Sequence, residues 1–253
     1  MNGRMIAAEV LKLVRRRGQM IWAVILTVVA VVVAYGIAWG YHLSNAGKYG
    51  PAGGSHSLEG SLWIITTIGG VAAVLIGTTA GIGDQSAGVF RELVVTGRSR
   101  IALFAARIPG ALIVLLPMVL LAFAVAVVCT FALAGDLRTP SASLIAKDAV
   151  WLIAVMTAQL LLALGFSAVV GSRATAVGVL LGWQLALSPL LLSIDQLGPV
   201  RQLVPRAAAL RLEPFSNEPL GFAMTAGAAV AVLTVWTVVM LAVAARRTLR
   251  LEA

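Results

Sequence analysis

Six long apolar runs limit the possible fold of this chain more than any other feature of the sequence. A helix needs about 20 apolar residues to cross the hydrocarbon of a bilayer, and inside lipid its backbone must satisfy its own hydrogen bonds. Only 11% of the 253 residues are charged, whereas soluble domains carry about 25%. We therefore predict an all-α polytopic membrane protein, one domain over 1–253, with transmembrane helices at about 20–41, 61–82, 109–133, 149–170, 174–194 and 221–245.

The distribution of charge predicts the orientation of these helices. The N-terminus, the C-terminus and the segments after the second and fourth runs contain 13 basic and 4 acidic residues, and the other three connections contain 6 of each. Basic residues accumulate on the cytoplasmic side, so we predict a multi-pass protein of the cell membrane with both termini in the cytoplasm. Attraction to anionic lipids accounts for the net charge of +9, and we predict no nucleic-acid partner.

Residues 1–18 have the pattern of an amphipathic helix lying at the membrane interface. At 100° per residue the charged side chains share one arc, and apolar side chains such as Ile6, Val10 and Leu13 occupy the opposite side. The charged arc contains Arg4, Glu9, Lys12, Arg15 and Arg16.

The longest charged connection on the predicted cytoplasmic side is 84–100. Its apolar residues recur at helical spacing, which predicts a short amphipathic helix. Thr96-Gly97 ends this helix, and Ser99 is placed to cap the next one. We interpret the segment as a surface that receives force from a soluble partner.

Several residues near the runs have predicted structural roles. Asp148 is expected to cap the fourth helix, and Trp151 to lie at its interface with the headgroups. Small residues recur every fourth position in two runs, which lets a neighbouring helix approach closely. These are Ala73, Gly77 and Gly81 in the second run, and Ala174, Gly178, Gly182 and Ala186 in the fifth.

The sequence lacks the motifs of several kinds of enzyme. It contains no phosphate-binding glycine loop followed by Lys-Ser/Thr, and its two histidines, His42 and His56, lie in one external connection. These histidines with Glu59 could hold zinc or copper, but two solvated side chains are the simpler interpretation, and we predict no metal site and no catalytic residue. We also expect no charged side chain deep within a span, which disfavours an ion-coupled carrier or an intramembrane enzyme.

The order of these features resembles that of ABC-2 type transporter permeases. The resemblance covers nearly the full length and rests on Glu9 and Lys12 in a first "elbow" helix, followed by the motif residues Asp84, Ala87-Gly88, Arg91, Thr96-Gly97 and Ser99-Arg100. It implies a permease that works as a homo- or heterodimer with cytoplasmic ATPase subunits, exporting a solute such as a drug, antibiotic or lipid. ATP would then bind the partner subunit, so we expect no cofactor and no enzymatic activity in this chain.

The resemblance also implies roles for particular residues. The segment 84–100 would contain the coupling helix that contacts the ATPase, and 195–220 would be an external segment whose prolines permit it to re-enter the membrane. The residues expected at the ATPase contact are Asp84, Gly88, Phe90, Arg91, Glu92, Leu93, Glu9, Arg16 and Arg173. The expected liners of a substrate path are Thr66, Thr67, Gln184 and Ser188.

Other interpretations remain open at this point. Gln and Thr within spans often only bond neighbouring helices, for about 0.6–2 kcal/mol. Arg201, Arg206 and Arg211 could meet lipid phosphates or an anionic substrate, although a solvated amphipathic helix is the simpler expectation. The alternatives to a permease are an ion-coupled secondary transporter and a membrane anchor subunit that does not transport.

Overall fold

The computed structural model describes residues 3–86, 99–215 and 223–250, with the side chains of 83–86 outside that description. The described residues form helices joined by short connections, without a strand. Six helices are long and apolar enough to cross a membrane, which confirms the predicted class of fold. The helices are α1 (Gly3–Val14), α2 (Arg17–Ser44), α3 (Ser55–Ser86), α4 (Arg100–Ala132), α5 (Ala142–Val170), α6 (Arg173–Ser193), α7 (Pro205–Arg211) and α8 (Ala226–Arg250).

The helices α3 and α5 form the centre of the molecule and make its most extensive helix contact. Their backbones approach closely because Gly77 and Gly81 face the α5 backbone: a Cβ atom at Gly77 would lie 2.6 Å from the carbonyl oxygen of Leu160. This confirms the close approach predicted for the small residues of the second run. In contrast, α6 and α8 lie at the periphery, where only 11% of the apolar window of each is buried.

Serine side chains begin three of the long helices. Ser99 Oγ accepts from the amide of Ala102 at 3.2 Å, as predicted, and Ser172 caps α6 in the same way. Gly171 ends α5 in the left-handed conformation, with φ of 79°, so a two-residue connection suffices between α5 and α6.

Asp148 does not cap a helix, so that prediction is wrong. Ser141 caps α5 instead, its Oγ accepting from the amide of Leu144 at 3.2 Å. The helix therefore begins one to two turns before the predicted boundary and carries Asp148 inside it, fully buried. Neither carboxylate oxygen of Asp148 has a hydrogen-bond partner among the described residues.

Arg107 is a second charged residue that the fold buries. The helix α4 begins at Arg100 and runs through Pro109, so Arg107 lies within it and is fully buried. Its Nη1 donates to the carbonyl oxygen of Gly81 at 2.7 Å, which joins α4 to the last turns of α3. Arg107 and Asp148 lie just before the predicted spans 109–133 and 149–170, so the expectation that no charged side chain lies deep within a span stays a prediction.

The helix α1 packs across α4. The contact depends on Gly110, where a Cβ atom would lie 2.6 Å from the Cβ of Glu9. Glu9 is 8% exposed and pairs with Lys12 at 2.6 Å, so the predicted polar arc contributes a buried residue to this contact. The apolar side chains of Leu11 and Val14 are about half exposed.

The connection from α6 to α8 is helical over most of its described length. A 3₁₀ segment, Asp195–Leu203, leads into α7. Arg201 is buried and its Nη1 bonds Asp195 Oδ1 at 2.8 Å, so it is not a solvated residue as expected. Trp236 of α8 donates to the carbonyl oxygen of Leu203 at 2.8 Å, and Arg211 donates to that of Met224 at 2.6 Å.

Candidate functional site

A cavity of about 120 Å³ lies between α3, α5 and α6, and α7 covers one side of it. Pro205, Arg206, Ala209 and Leu210 of α7 line this covering side, together with Glu213 just after it. Because α7 follows α6 through the 3₁₀ segment, the covering side of the cavity lies toward the end of the bundle opposite the connection between α5 and α6, and the cavity extends from there between the helices. We call this space the indole cavity.

The walls of the indole cavity are mainly apolar and include three tryptophans. Trp63 comes from α3, Trp151 from α5 and Trp183 from α6. Trp151 is buried and its Nε1 donates to the carbonyl oxygen of Ala209 at 2.9 Å, which fixes α7 against α5. The prediction that Trp151 lies at the headgroup interface does not describe this environment.

Two glutamine side chains pack against α3 at a position without a side chain. Residue 70 is glycine, and a Cβ atom there would clash with Gln184 Nε2 and lie 2.6 Å from Gln159 Oε1. Gln184 Nε2 donates to the carbonyl oxygen of Thr67 at 3.0 Å, and Gln159 Nε2 donates to that of Thr66 at 3.3 Å. Gln159 Oε1 has no hydrogen-bond partner among the described residues. An acceptor atom thus remains available beside the cavity.

The helix α6 has an irregular turn at this level. Trp183–Leu187 forms a π turn, in which the amide of Ser188 bonds the carbonyl oxygen of Trp183. Pro189 follows, and its missing N–H removes the donor that a regular helix would use next. Ser188 is 1% exposed, lines the cavity, and its Oγ has no partner in the described part of the chain. Single π turns occur often at functional sites.

Charged side chains lie at the covering side of the cavity. Burial, together with the negative charges of Glu59 and Asp148, raises the pKa of Glu213 to about 7, against the opposing effect of Arg206. Burial lowers the pKa of Arg206, while Glu213 acts in the opposite direction. Near neutral pH the Glu213 carboxyl therefore exists in both protonation states.

The structure brings the four predicted path residues together. Thr66, Gln184 and Ser188 line the indole cavity, and Thr67 supplies the carbonyl oxygen that Gln184 bonds. The Oγ1 atom of Thr66 is already used, since it donates to Leu62 O at 2.9 Å. Whether a substrate passes here stays a prediction.

The predicted coupling residues fall mostly outside the described part of the chain. Gly88, Phe90, Arg91, Glu92, Leu93 and the side chain of Asp84 lie outside it. Arg16 is exposed and Arg173 half-buried, and their positive charges act on each other. Glu9 is buried against α4 and paired with Lys12, so it offers little surface to a partner.

Other residues of the site were not among the predicted ones. Gln159 is a polar residue within an apolar run, which is the signal that selected Gln184. Arg206 and Glu213 follow the fifth run at a distance, and only the fold places them at the cavity. No sequence pattern indicates the contact of Trp151 with α7.

The geometry therefore defines a largely apolar cavity with hydrogen-bonding groups on one side and charged groups near its covering helix. Comparison with known proteins adds no family to this description: no protein-family model matches the sequence, and no curated protein matches it significantly.

Proposed function

We propose that this chain is the membrane permease subunit of an ATP-binding cassette exporter in the cell membrane, driven by a separate cytoplasmic ATPase and paired with a second permease subunit. The observation that supports a transport function is the indole cavity, which lies among the long apolar helices and gathers Thr66, Gln184 and Ser188 at its wall. Binding pockets are typically apolar with a few convergent polar groups. A lipophilic solute suits such walls.

The opposite end of the bundle is the end proposed to meet the ATPase. The segment 87–98 joins α3 to α4 in the sequence, and the described residues at this end of the bundle include exposed Arg16 and the start of α6 at Arg173. Arg100 Nη1 donates to the carbonyl oxygen of Leu249 at 3.0 Å, so the starts and ends of several helices are joined at this basic end. Arg107 then links the start of α4 to Gly81 of α3. A force that the ATPase exerts on 87–98 would be transmitted to both α3 and α4 through these contacts.

Coupling is tested with the full chain, its second subunit and the proposed ATPase subunit, reconstituted in proteoliposomes. Reversing two charges of the proposed coupling helix, with Arg91→Glu and Glu92→Arg, is expected to reduce ATP-driven transport about tenfold or more, because close charge pairs across an interface contribute several kcal/mol. The matched control is Arg138→Glu, an exposed residue at the other end of the bundle. Equal transport by the double variant and the control would remove the coupling assignment.

A second candidate function is an ion-coupled secondary transporter, and buried Asp148 is the observation that favours it. Carriers often keep a buried ionisable group within a membrane-spanning helix despite its cost. Under this alternative the protein alone moves solute along an ion gradient without nucleotide, and Asp148→Asn abolishes that movement. Under the permease proposal no such movement occurs, and Asp148→Asn retains ATP-driven transport.

A further inference from the structure

The indole cavity offers acceptors and negative charge to a ligand. Gln159 Oε1 is buried without a partner among the described residues, and Ser188 Oγ, also without one, lies on a side chain that is 1% exposed. A ligand with N–H groups satisfies such atoms, and leaving them unpaired is costly in an apolar site.

The charges around the covering helix favour a cation. The groups that act on Glu213 are Glu59 at the start of α3, Asp148 of α5 and Arg206 of α7. Among the described residues, three carboxyl groups thus stand against one guanidinium, and His56 Nδ1 lies 3.4 Å from Glu59 Oε2. Of these carboxyl groups Glu213 lines the cavity beside Arg206, while Glu59 and Asp148 add negative potential from outside it, so the arrangement disfavours an anion.

The three indole side chains also favour a cation over an anion. The face of an indole ring is the aromatic surface that best attracts a cation, and the attraction grows where water is excluded. Trp63, Trp151 and Trp183 come from three different helices and line one space, with Trp63 about half exposed. Their rings also supply the apolar contact that an uncharged part of the ligand needs.

We propose that the indole cavity binds an organic ammonium ion. Its aromatic or aliphatic body lies among the three tryptophans, and its protonated nitrogen lies toward Glu213 and the side-chain oxygen Oε1 of Gln159. This inference rests on the proposed transport function, because it names the substrate class of the same site. Glu213 contributes as its carboxylate. Binding of the cation therefore releases a proton whenever Glu213 is protonated beforehand.

The sign of the pH dependence follows from this linkage. The pKa of Glu213 is raised to about 7, so the carboxylate is the minor form below that pH and the major form above it. Affinity for an ammonium ion is expected to rise about tenfold between pH ~6 and pH ~8 and then to level off, provided that the ligand keeps its charge.

Binding is measured with the purified full chain in lipid nanodiscs, without an ATPase, by quenching of tryptophan fluorescence. The test ligand is 2-phenylethylammonium, and its neutral counterpart is 2-phenylethanol, which has nearly the same shape. The ammonium ion is expected to bind about tenfold more tightly at pH ~8, because a hydrogen bond to a charged group contributes more than one to a neutral group. Equal affinity for the two compounds, or no binding of either, overturns the proposal.

The matched variants are Glu213→Gln and Asp136→Asn. Asp136 is an exposed carboxylate outside the cavity, so its variant removes the same charge and is expected to bind as the unchanged chain does. Glu213→Gln is expected to lose both the preference for the ammonium ion and the pH dependence. Retention of either by Glu213→Gln overturns the proposal.

A second variant, Gln159→Met, keeps the size of the side chain but removes the unpaired acceptor. It is expected to weaken ammonium binding several-fold without changing the pH dependence, and unchanged affinity contradicts the placement of the nitrogen. Failure of the binding proposal is distinguishable from failure of the permease proposal, because binding is measured without ATPase. A chain that couples to ATPase but ignores the ammonium ion overturns only the binding proposal.

Discussion

Gly77 lets α3 and α5 pack closely because it has a hydrogen atom where other residues have a side chain. A methyl group there would lie 2.6 Å from the carbonyl oxygen of Leu160 and 2.8 Å from the Cβ of Ala163. Gly178, in the middle of α6, has no atom within 4 Å of the same position. The two residues occupy similar helical backbones, so they form a matched pair for measuring the effect of close packing.

We expect Gly77→Ala to destabilise the protein by about 1–3 kcal/mol, because backbone atoms cannot move aside as a flexible side chain can. Gly178→Ala is expected to leave stability unchanged or raise it by up to about 1 kcal/mol, since alanine is the better helix former. Thermal unfolding in detergent micelles measures both. If Gly178→Ala lost more stability than Gly77→Ala, another surface would have to pack against α6 at Gly178.

At the scale of the helix, sequence reasoning succeeded where hydropathy or local chemistry determines the structure. The number of long helices and the Ser99 cap were predicted correctly, because each depends on residues close together in the chain. The start of α5 was missed because Asp148 lowers the local hydropathy, yet tertiary contacts bury it inside the helix, as they bury Arg107 inside α4. The sequence likewise indicated Gln184, a polar residue in an apolar run, but not that Glu213 lies at the cavity, because only tertiary contacts bring Glu213 there.

The start of α5 allows a test of whether local chemistry, here a serine cap, determines where a helix begins. Ser141→Ala removes the hydroxyl that accepts from the Leu144 amide, and we expect it to cost about 1 kcal/mol of stability. Ser44→Ala is the control, because the Ser44 hydroxyl is exposed at the other end of a helix and donates to the Tyr41 carbonyl oxygen. Thermal unfolding of the two variants gives the comparison, and equal midpoints would mean that another group satisfies the Leu144 amide.

On the scale of the whole molecule, the two ends of the bundle differ in charge and in chemistry. One end carries the exposed Arg16, the Arg100 contact with α8 and the Arg173 start of α6. The other end carries the 3₁₀ segment, α7 and the indole cavity. That the basic end faces the cytoplasm stays a prediction.

Orientation is checked by labelling single introduced cysteines in intact cells with a membrane-impermeant maleimide. Cys129 is the only native cysteine, so Cys129→Ala provides the background. Lys48→Cys, exposed in the connection between α2 and α3, is expected to react from outside. Arg15→Cys, exposed between α1 and α2, is expected to react only after the cells are opened. The reverse pattern would invert the orientation and place the cavity at the cytoplasmic end.

The π turn in α6 also changes how positions along that helix must be compared. Because Trp183–Leu187 holds one more residue than a regular turn, a helical wheel drawn through Arg173–Gly182 assigns Ser188 and the residues after it to the wrong angle, by about 100°. Scanning substitutions across α6 therefore have to be plotted as two separate series, one on each side of the irregular turn. A single periodic fit would average a lipid-facing stripe with a cavity-facing one.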